Sequence, residues 1–280
     1  MHQHIIHINF VLINMSRDNL KIAIVSHNIA WGDKEENIIT VAELLNRVDK
    51  DTDIVVLPEL FSTGFMPSLE QMHQMAEDES GMIIVNVLRW SQYFKFAICG
   101  TFIAKDEGRF YNRAFFIEPS GDITYYDKRH LHSPSNEDYC YVKGEKKSPI
   151  IRYRGWNISM QICYDLRFPV WCRNNENKID LMLVPANWPQ DRGYTWKHLL
   201  IARSIENQIY IAGANRSGCD DMGNYDDLSY IYDFNGINIG KESKRSRKII
   251  YGNLDKKSLL KYRSQSPIVN DLDKFELIIK

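Results

Sequence analysis

The strongest constraint on this chain is a rhythm. Short, nearly unbroken apolar runs alternate with segments whose apolar residues recur at three- and four-residue spacing. "KIAIVSHN" (21–28), "DIVVLPEL" (53–60), "KFAICGTFIA" (95–104), "FYNRAFFIEP" (110–119), "DLMLVPAN" (180–187) and "IYIAGANR" (209–216) are too short for ordinary helices and predict strands, that over 53–60 a buried one stopped by Pro58. Between them, residues 35–48 place Ile38, Val41, Leu45 and Val48 on one helical face. Residues 82–94 and "YTWKHLLIARSIENQ" predict further helices, and "FPVWCRNNEN" predicts a helix start. "RGWNISMQIC" (154–163) alternates Trp156, Ile158, Met160 and Ile162, the pattern of a strand that runs out at a cysteine. "DITYYDKRHL" predicts another strand, ending near Asp127. Such alternation implies a layered α/β or α+β fold. No low-complexity linker interrupts it, so residues 20–280 are expected to form one domain, within the size a single core supports.

Charge narrows the function classes. Lys+Arg 35 against Asp+Glu 36 gives a formal net charge of −1, which offers no electrostatic reason to expect nucleic acid or an anionic membrane as partner. The basic run 241–248 is expected to be a solvated loop or edge. Five widely spaced cysteines without a C-x-x-C pair argue against a disulfide framework or a zinc site, and fit a reducing, cytoplasmic setting. Residues 1–19 carry an apolar run punctuated by histidines, with neither the basic start nor the cleavage site of a signal peptide. They are expected to lie outside the fold, as a frayed extension rather than a metal site, and translation could equally begin at Met15.

Three residues stand where predicted strands end, the place where layered α/β folds display functional side chains. They are Glu59 in "LPELFSTGF", Lys128 in "YYDKRHLH" and Cys163 in "ICYDLRFP". Singly, each has a plainer role: a solvated acid, a solvated lysine, a packing cysteine. Together they form a usable chemistry. A thiol of ordinary pKa about 8.5 is mostly protonated at neutral pH and needs help to become a nucleophile. A carboxylate can take its proton, and an ammonium can stabilise the thiolate and then the oxyanion that follows attack.

The same three segments, in this order, resemble the signature segments of the nitrilase (carbon–nitrogen hydrolase) superfamily, and the resemblance runs from about residue 20 to 265. It implies a four-layer α-β-β-α sandwich that forms homodimers. It places Glu59 on the general base, Lys128 on the oxyanion-stabilising lysine, Cys163 on the nucleophile, and Glu137 in "SPSNEDYCYVKG" on a second glutamate that orients the lysine and substrate. The backbone N–H of Tyr164 becomes an oxyanion donor, and covalent catalysis by the thiol requires neither metal nor organic cofactor.

Within that superfamily, "CYDLRFPVWCRN", "ANWPQDRGYTWKHLLIARSIENQIYIAGANR" and "YDKRHL" are most similar to the omega-amidases, which hydrolyse the terminal amide of 2-oxoglutaramate or 2-oxosuccinamate. Tyr164 favours an amidase over a true nitrilase, which usually carries Trp there. Arg167 is a candidate anchor for the substrate carboxylate, with a structural pair to Asp165 as its alternative; Phe65, Asn187 and Trp188 are candidates to line the pocket. One departure stands out: where omega-amidases often carry Gly-Asp-Ser before a late strand, this chain reads "DDLSYIY", keeping only Ser229. Other aliphatic amidases and N-carbamoyl hydrolases share the same three residues and remain open. A Cys–His hydrolase using His27, His130, His132 or His198 lacks comparable local support. A non-enzymatic scaffold would be favoured only if one of the three residues were missing.

Overall fold

In the computed structural model, which describes residues 17–280 apart from 66–67, 226–227, 274–275 and 279–280, the apolar runs line up as two stacked sheets. The N-terminal histidines, Met15, and Asp226 and Asp227 of the departing segment lie outside the described residues.

The first half of the chain runs β1 (Asn19–Val25), α1 (Lys34–Leu45), β2 (Ile54–Val56), α2 (Leu69–Met75), α3 (Met82–Phe94), β3 (Ala97–Asp106), β4 (Arg109–Ile117), β5 (Ile123–Asp127) and a single turn, α4 (Glu137–Cys140). The second runs β6 (Ile151–Tyr153), β7 (Trp156–Met160), β8 (Leu181–Ala186), α5 (Gly193–Asn207), β9 (Tyr210–Asn215), a small hairpin of β10 (Cys219–Asp220) and β11 (Gly223–Asn224), β12 (Tyr230–Tyr232), β13 (Lys241–Ser243), β14 (Ser246–Asp255) and α6 (Lys256–Gln265). One sheet has the order β13-β14-β1-β2-β3-β4-β5 and the other β12-β9-β8-β7-β6. The centre of each is parallel, β1-β2-β3 and β7-β8-β9, so the C-terminal ends of successive strands emerge on the same side.

The two-residue period of a strand explains the layering. In β1, Ile22 and Ile24 join a core shared with Ile158, Met160, Leu181 and Leu183 of the other sheet. Ala23 and Val25 face the opposite way, into a core with Val41 and Leu45 of α1 and Ile83 and Val87 of α3. On the far side, Trp196 and Leu200 of α5 and Leu259 of α6 complete the first of these cores. The result is the expected four-layer α-β-β-α sandwich. Each fully buried apolar side chain contributes roughly 1.5–3 kcal/mol, so both faces of the central strands must be apolar, and their sequences read as continuous runs.

Two expectations are corrected. The strand predicted over 154–163 is a hairpin arm: Arg154 and Gly155 take φ of +48° and +82°, the left-handed pair of a tight two-residue turn, and Tyr153 pairs with Trp156. Regular pairing then ends at Met160. The helix expected to start at "FPVWCRNNEN" does not form. Asn174 uses its side chain to bond the backbone N–H and carbonyl of Ile179, holding the segment in a loop, and only a short 3₁₀ turn, Asn175–Asn177, follows. The basic run 241–248 forms the edge hairpin of β13 and β14.

Candidate active site

Pro58 ends β2, since it has no N–H to donate to a ladder, and Glu59 follows at the seam between the sheets. Its backbone N–H donates to the Ala186 carbonyl at the end of β8 (3.4 Å), and the Asn187 amide side chain donates back to the Glu59 carbonyl (3.0 Å). Leu60 adopts φ +49° and donates its N–H to Thr101 Oγ1 at 2.7 Å. Cys163, beyond the end of β7, likewise has φ +42° and opens the 3₁₀ turn Cys163–Arg167. Such conformations cost roughly 1–3 kcal/mol for residues with a Cβ. Here they flank Glu59 and carry Cys163.

Lys128 follows β5. The Gly144 N–H donates to the Lys128 carbonyl (2.8 Å), and a Cβ on Gly144 would stand 2.1 Å from the Asp127 carbonyl oxygen, so only glycine permits this approach. The Lys128 ammonium then reaches inward to Glu59 Oε1 at 2.7 Å and to both oxygens of Glu137 at 2.8 and 2.9 Å. Asn112, from the middle of β4, donates its side-chain amide to Glu59 Oε1 (2.8 Å) and Glu137 Oε1 (3.0 Å). The backbone N–H of Asn187 donates to Glu59 Oε2 (2.9 Å) and that of His132 to Glu137 Oε2 (2.6 Å). All four side chains, Glu59, Asn112, Lys128 and Glu137, are buried.

Charge sets the resting protonation states. Burial alone would lower Lys128, but the Glu137 and Glu59 carboxylates outweigh it and hold the ammonium well above the ordinary lysine range. Burial raises Glu137 against the pull of Lys128. Burial, and then the neighbouring Glu59 charge, push the Cys163 thiol well above its usual range despite Lys128. The resting group is therefore a thiol, and a thiolate forms only when a base takes its proton.

The predicted residues converge. Glu59, Lys128 and Cys163 share one cleft with Phe65, Tyr164, Arg167, Asn187 and Trp188. Glu137 stands behind Lys128 rather than on the cleft wall. Phe65 also packs against a small core of Leu60, Met72 and Ile103, so it serves the cleft and the core together. Arg167 makes no pair with Asp165. Its guanidinium lies 5.1 Å from the Trp188 ring centre and 5.8 Å from that of Tyr164. Asp165 is instead occupied by His130, through backbone N–H and ring Nδ1 (both 2.8 Å), and by the Tyr126 hydroxyl (2.7 Å). Ser229, retained from the departing segment, accepts from the Asn215 N–H (2.9 Å) and contacts Ser26 Oγ (2.8 Å), tying the late strand to β9 and the end of β1.

Asn112 and Arg192 are parts of the site that the sequence did not single out, and Asp165 and His132 hold roles other than the alternatives named for them there. Asn112 carries the one legible signal, a polar amide in the middle of an otherwise apolar strand. Among the histidines, burial and the nearby Arg192 and Lys128 charges lower His132 to about 4, which keeps its imidazole neutral near neutral pH. Among the described residues, no group of three or more His, Cys, Asp or Glu could hold a metal ion, and no helix is long and apolar enough to cross a membrane.

Two sheets stacked this way, with a buried thiol where strand ends from both meet, are the architecture of nitrilase-type hydrolases. The chain belongs to the carbon-nitrogen hydrolase family, whose model matches residues 21–264. It is 36% identical over 261 residues to "Omega-amidase YafV" of Yersinia enterocolitica, covering 92% of this chain and 99% of that one. It is 29% identical to the "2-oxoglutaramate amidase" of Bacillus subtilis, covering 90% and 97%. Among solved structures, XC1258 of Xanthomonas campestris, a CN-hydrolase superfamily protein with an arsenic adduct in its active site, superposes with a TM-score of 0.86. That match has 34% identity and covers 93% of this chain and 100% of that one. The protein is thus a hydrolase of carbon–nitrogen bonds other than peptide bonds.

Proposed function

We propose that this protein is an omega-amidase, releasing ammonia from the terminal amide of a small 2-oxo dicarboxylic acid monoamide such as 2-oxoglutaramate. The observation that carries the reading is the polarity of the cleft. Its inner wall holds the thiol, Glu59 and Lys128, with the Lys128 charge met by two carboxylates. Its other cations, Arg167 and Arg192, are not buried against acids in the same way. A substrate with a neutral amide at one end and an anion at the other fits that division, and the similarity to omega-amidases along nearly the whole chain supports it.

In this reading the Cys163 sulfur attacks the amide carbonyl while Glu59 accepts its proton. The oxyanion is held by the Lys128 ammonium and by the Tyr164 N–H at the open start of the 3₁₀ turn; one such donor is worth about 3 kcal/mol in barrier. Glu59 passes the proton to the departing nitrogen, the C–N bond breaks, and ammonia leaves a thioester on Cys163. Water, deprotonated by Glu59, attacks the thioester, and the returning proton restores the thiol as the 2-oxo acid departs. Glu137 and Asn112 keep Lys128 and Glu59 in register. Arg167 anchors the carboxylate, while Trp188, Phe65 and Asn187 shape the cleft.

The reading includes a homodimer in the cytoplasm. Five cysteines with no disulfide among the described residues, four of them buried, support a reducing compartment, and the exposed apolar side chains of Tyr194 and Ile205 on α5 offer surface for a second copy. The deciding experiment measures ammonia release from 2-oxoglutaramate, glutamine, an N-carbamoyl amino acid and a nitrile. Fastest turnover is expected with 2-oxoglutaramate. Turnover of the carbamoyl compound or the nitrile, with none of the 2-oxo amide, would overturn the assignment.

A further inference from the structure

The mechanism leaves one charged member of the cleft unused. Arg192 lies at the start of α5, in the 3₁₀ turn Gln190–Arg192, and it lines the same cleft as Cys163. Its backbone is fixed: the Trp188 indole N–H donates to the Arg192 carbonyl at 2.9 Å, and the Arg192 N–H donates to the Pro189 carbonyl at 3.1 Å. Its guanidinium has no firm acidic partner among the described residues. The carboxylate within reach, Asp191, is 77% exposed and 3.7 Å from Nε, a geometry worth little in water.

A neutral imidazole aims the guanidinium. His132 Nε2 accepts from Arg192 Nη1 at 3.1 Å. The tautomer follows from the rest of the chain of bonds: Ser135 Oγ donates to the His132 carbonyl (3.0 Å), so His132 Nδ1–H donates to Ser135 Oγ (2.6 Å), which leaves Nε2 as the acceptor. The same residue's backbone N–H holds Glu137. One loop residue thus links the inner ion cluster to the outer arginine.

We propose that Arg192, positioned by His132, is a second arginine that reads the anionic end of the substrate and sets the preference for a 2-oxo acid amide over the matching 2-amino acid amide. Two guanidinium groups, Arg167 and Arg192, present donors only. A carboxylate and an adjacent 2-oxo oxygen satisfy them, whereas an α-ammonium offers no acceptor and is repelled. The inference rests on the omega-amidase reading and deepens it.

The test compares wild type, Arg192→Met, Arg192→Lys, His132→Ala and His132→Gln on 2-oxoglutaramate, glutamine, succinamate and butyramide. Losing a charge-assisted contact should raise KM for 2-oxoglutaramate about 10- to 100-fold with kcat held within a few-fold, since the contact is made equally in ground and transition states. The kcat/KM for succinamate should fall about 10-fold or more beyond that for butyramide, and the preference over glutamine should narrow. Lys at 192 should recover part of the loss. His132→Ala should reproduce the KM effect, and His132→Gln, which keeps an acceptor for the guanidinium, should restore part of it. An equal loss on acidic and neutral amides, or an unchanged ratio of 2-oxoglutaramate to glutamine, would overturn the proposal. If wild type ignores 2-oxoglutaramate yet hydrolyses butyramide, the omega-amidase reading fails; the succinamate-to-butyramide ratio then decides Arg192 separately.

Discussion

Glu59 Oε1 lies 2.7 Å from Lys128 Nζ across 69 positions of the chain, with both side chains 1% exposed. Burying such a pair is expensive unless its remaining hydrogen-bonding capacity is met. Here Asn112, Asn187 and Glu137 meet it. The ion cluster is therefore one unit, and its members should fail together.

The resting thiol provides the first check. Burial and then the Glu59 charge raise Cys163, so Glu59→Gln should lower the pH midpoint of its alkylation by iodoacetamide and speed labelling near neutral pH. Turnover should drop by about 10²–10⁴-fold in the same variant, because the general base is gone. Peptide-resolved mass spectrometry separates Cys163 from the exposed Cys219. A midpoint that rises or stays fixed would show that Glu59 places no negative charge beside the sulfur.

Asn112 donates to two carboxylates from one amide, and each bond to a charged acceptor is worth roughly 1.5–3 kcal/mol. Asn112→Ala should cut kcat about 10- to 100-fold. Asn112→Asp, which adds a third acid to the cluster, should lower the melting temperature far more than alanine does. Thermal unfolding and steady-state kinetics on both variants check this; equal stability of the two would remove Asn112 from the electrostatic unit.

Asp165 fastens the turn carrying Cys163 to both sides of Lys128, through Tyr126 before it and His130 after it. Asp165→Ala leaves the buried Tyr126 hydroxyl and the half-buried His130 donors without their acceptor, at a cost of about 3 kcal/mol. Urea unfolding should show the loss, and kcat should fall as the two segments drift apart. Wild-type stability in this variant would mean that the turn holds its shape without the carboxylate.

Acid should weaken the fold through His27. Burial lowers its pKa to about 4, and its Nε2 lies 2.8 Å from the Phe61 carbonyl. The unfolded side chain takes a proton near 6.5, so between pH 6.5 and 4 the unfolded state binds more protons and stability falls with pH. The full effect is about 3 kcal/mol. His27→Gln should flatten this part of the stability curve relative to wild type; an unchanged slope would place the acid sensitivity elsewhere.

Much of this molecule is legible in one dimension. Strands buried on both faces must be apolar throughout, and helices lying on them must be apolar on one face, so both periods show in the chain and the layers follow. Glu59, Lys128 and Cys163 are visible because each is a reactive type placed where an apolar run stops, and the surrounding motifs resemble one family's. Local signals fail where a residue's neighbours decide its conformation: Arg154-Gly155 turns a predicted strand into a hairpin, and the Asn174 side chain keeps an expected helix in a loop.

What the tertiary structure alone decides is who meets whom. Asn112 sits mid-strand, 53 positions from Glu59, and only the register of β4 delivers its amide between two carboxylates. Arg192 is one of many surface-typical arginines until the fold brings His132, 60 positions away, to its guanidinium. Periodicity arises from each residue's own backbone geometry and is written locally. Convergence depends on sheet pairing and stacking across the whole chain, which no single stretch of sequence encodes.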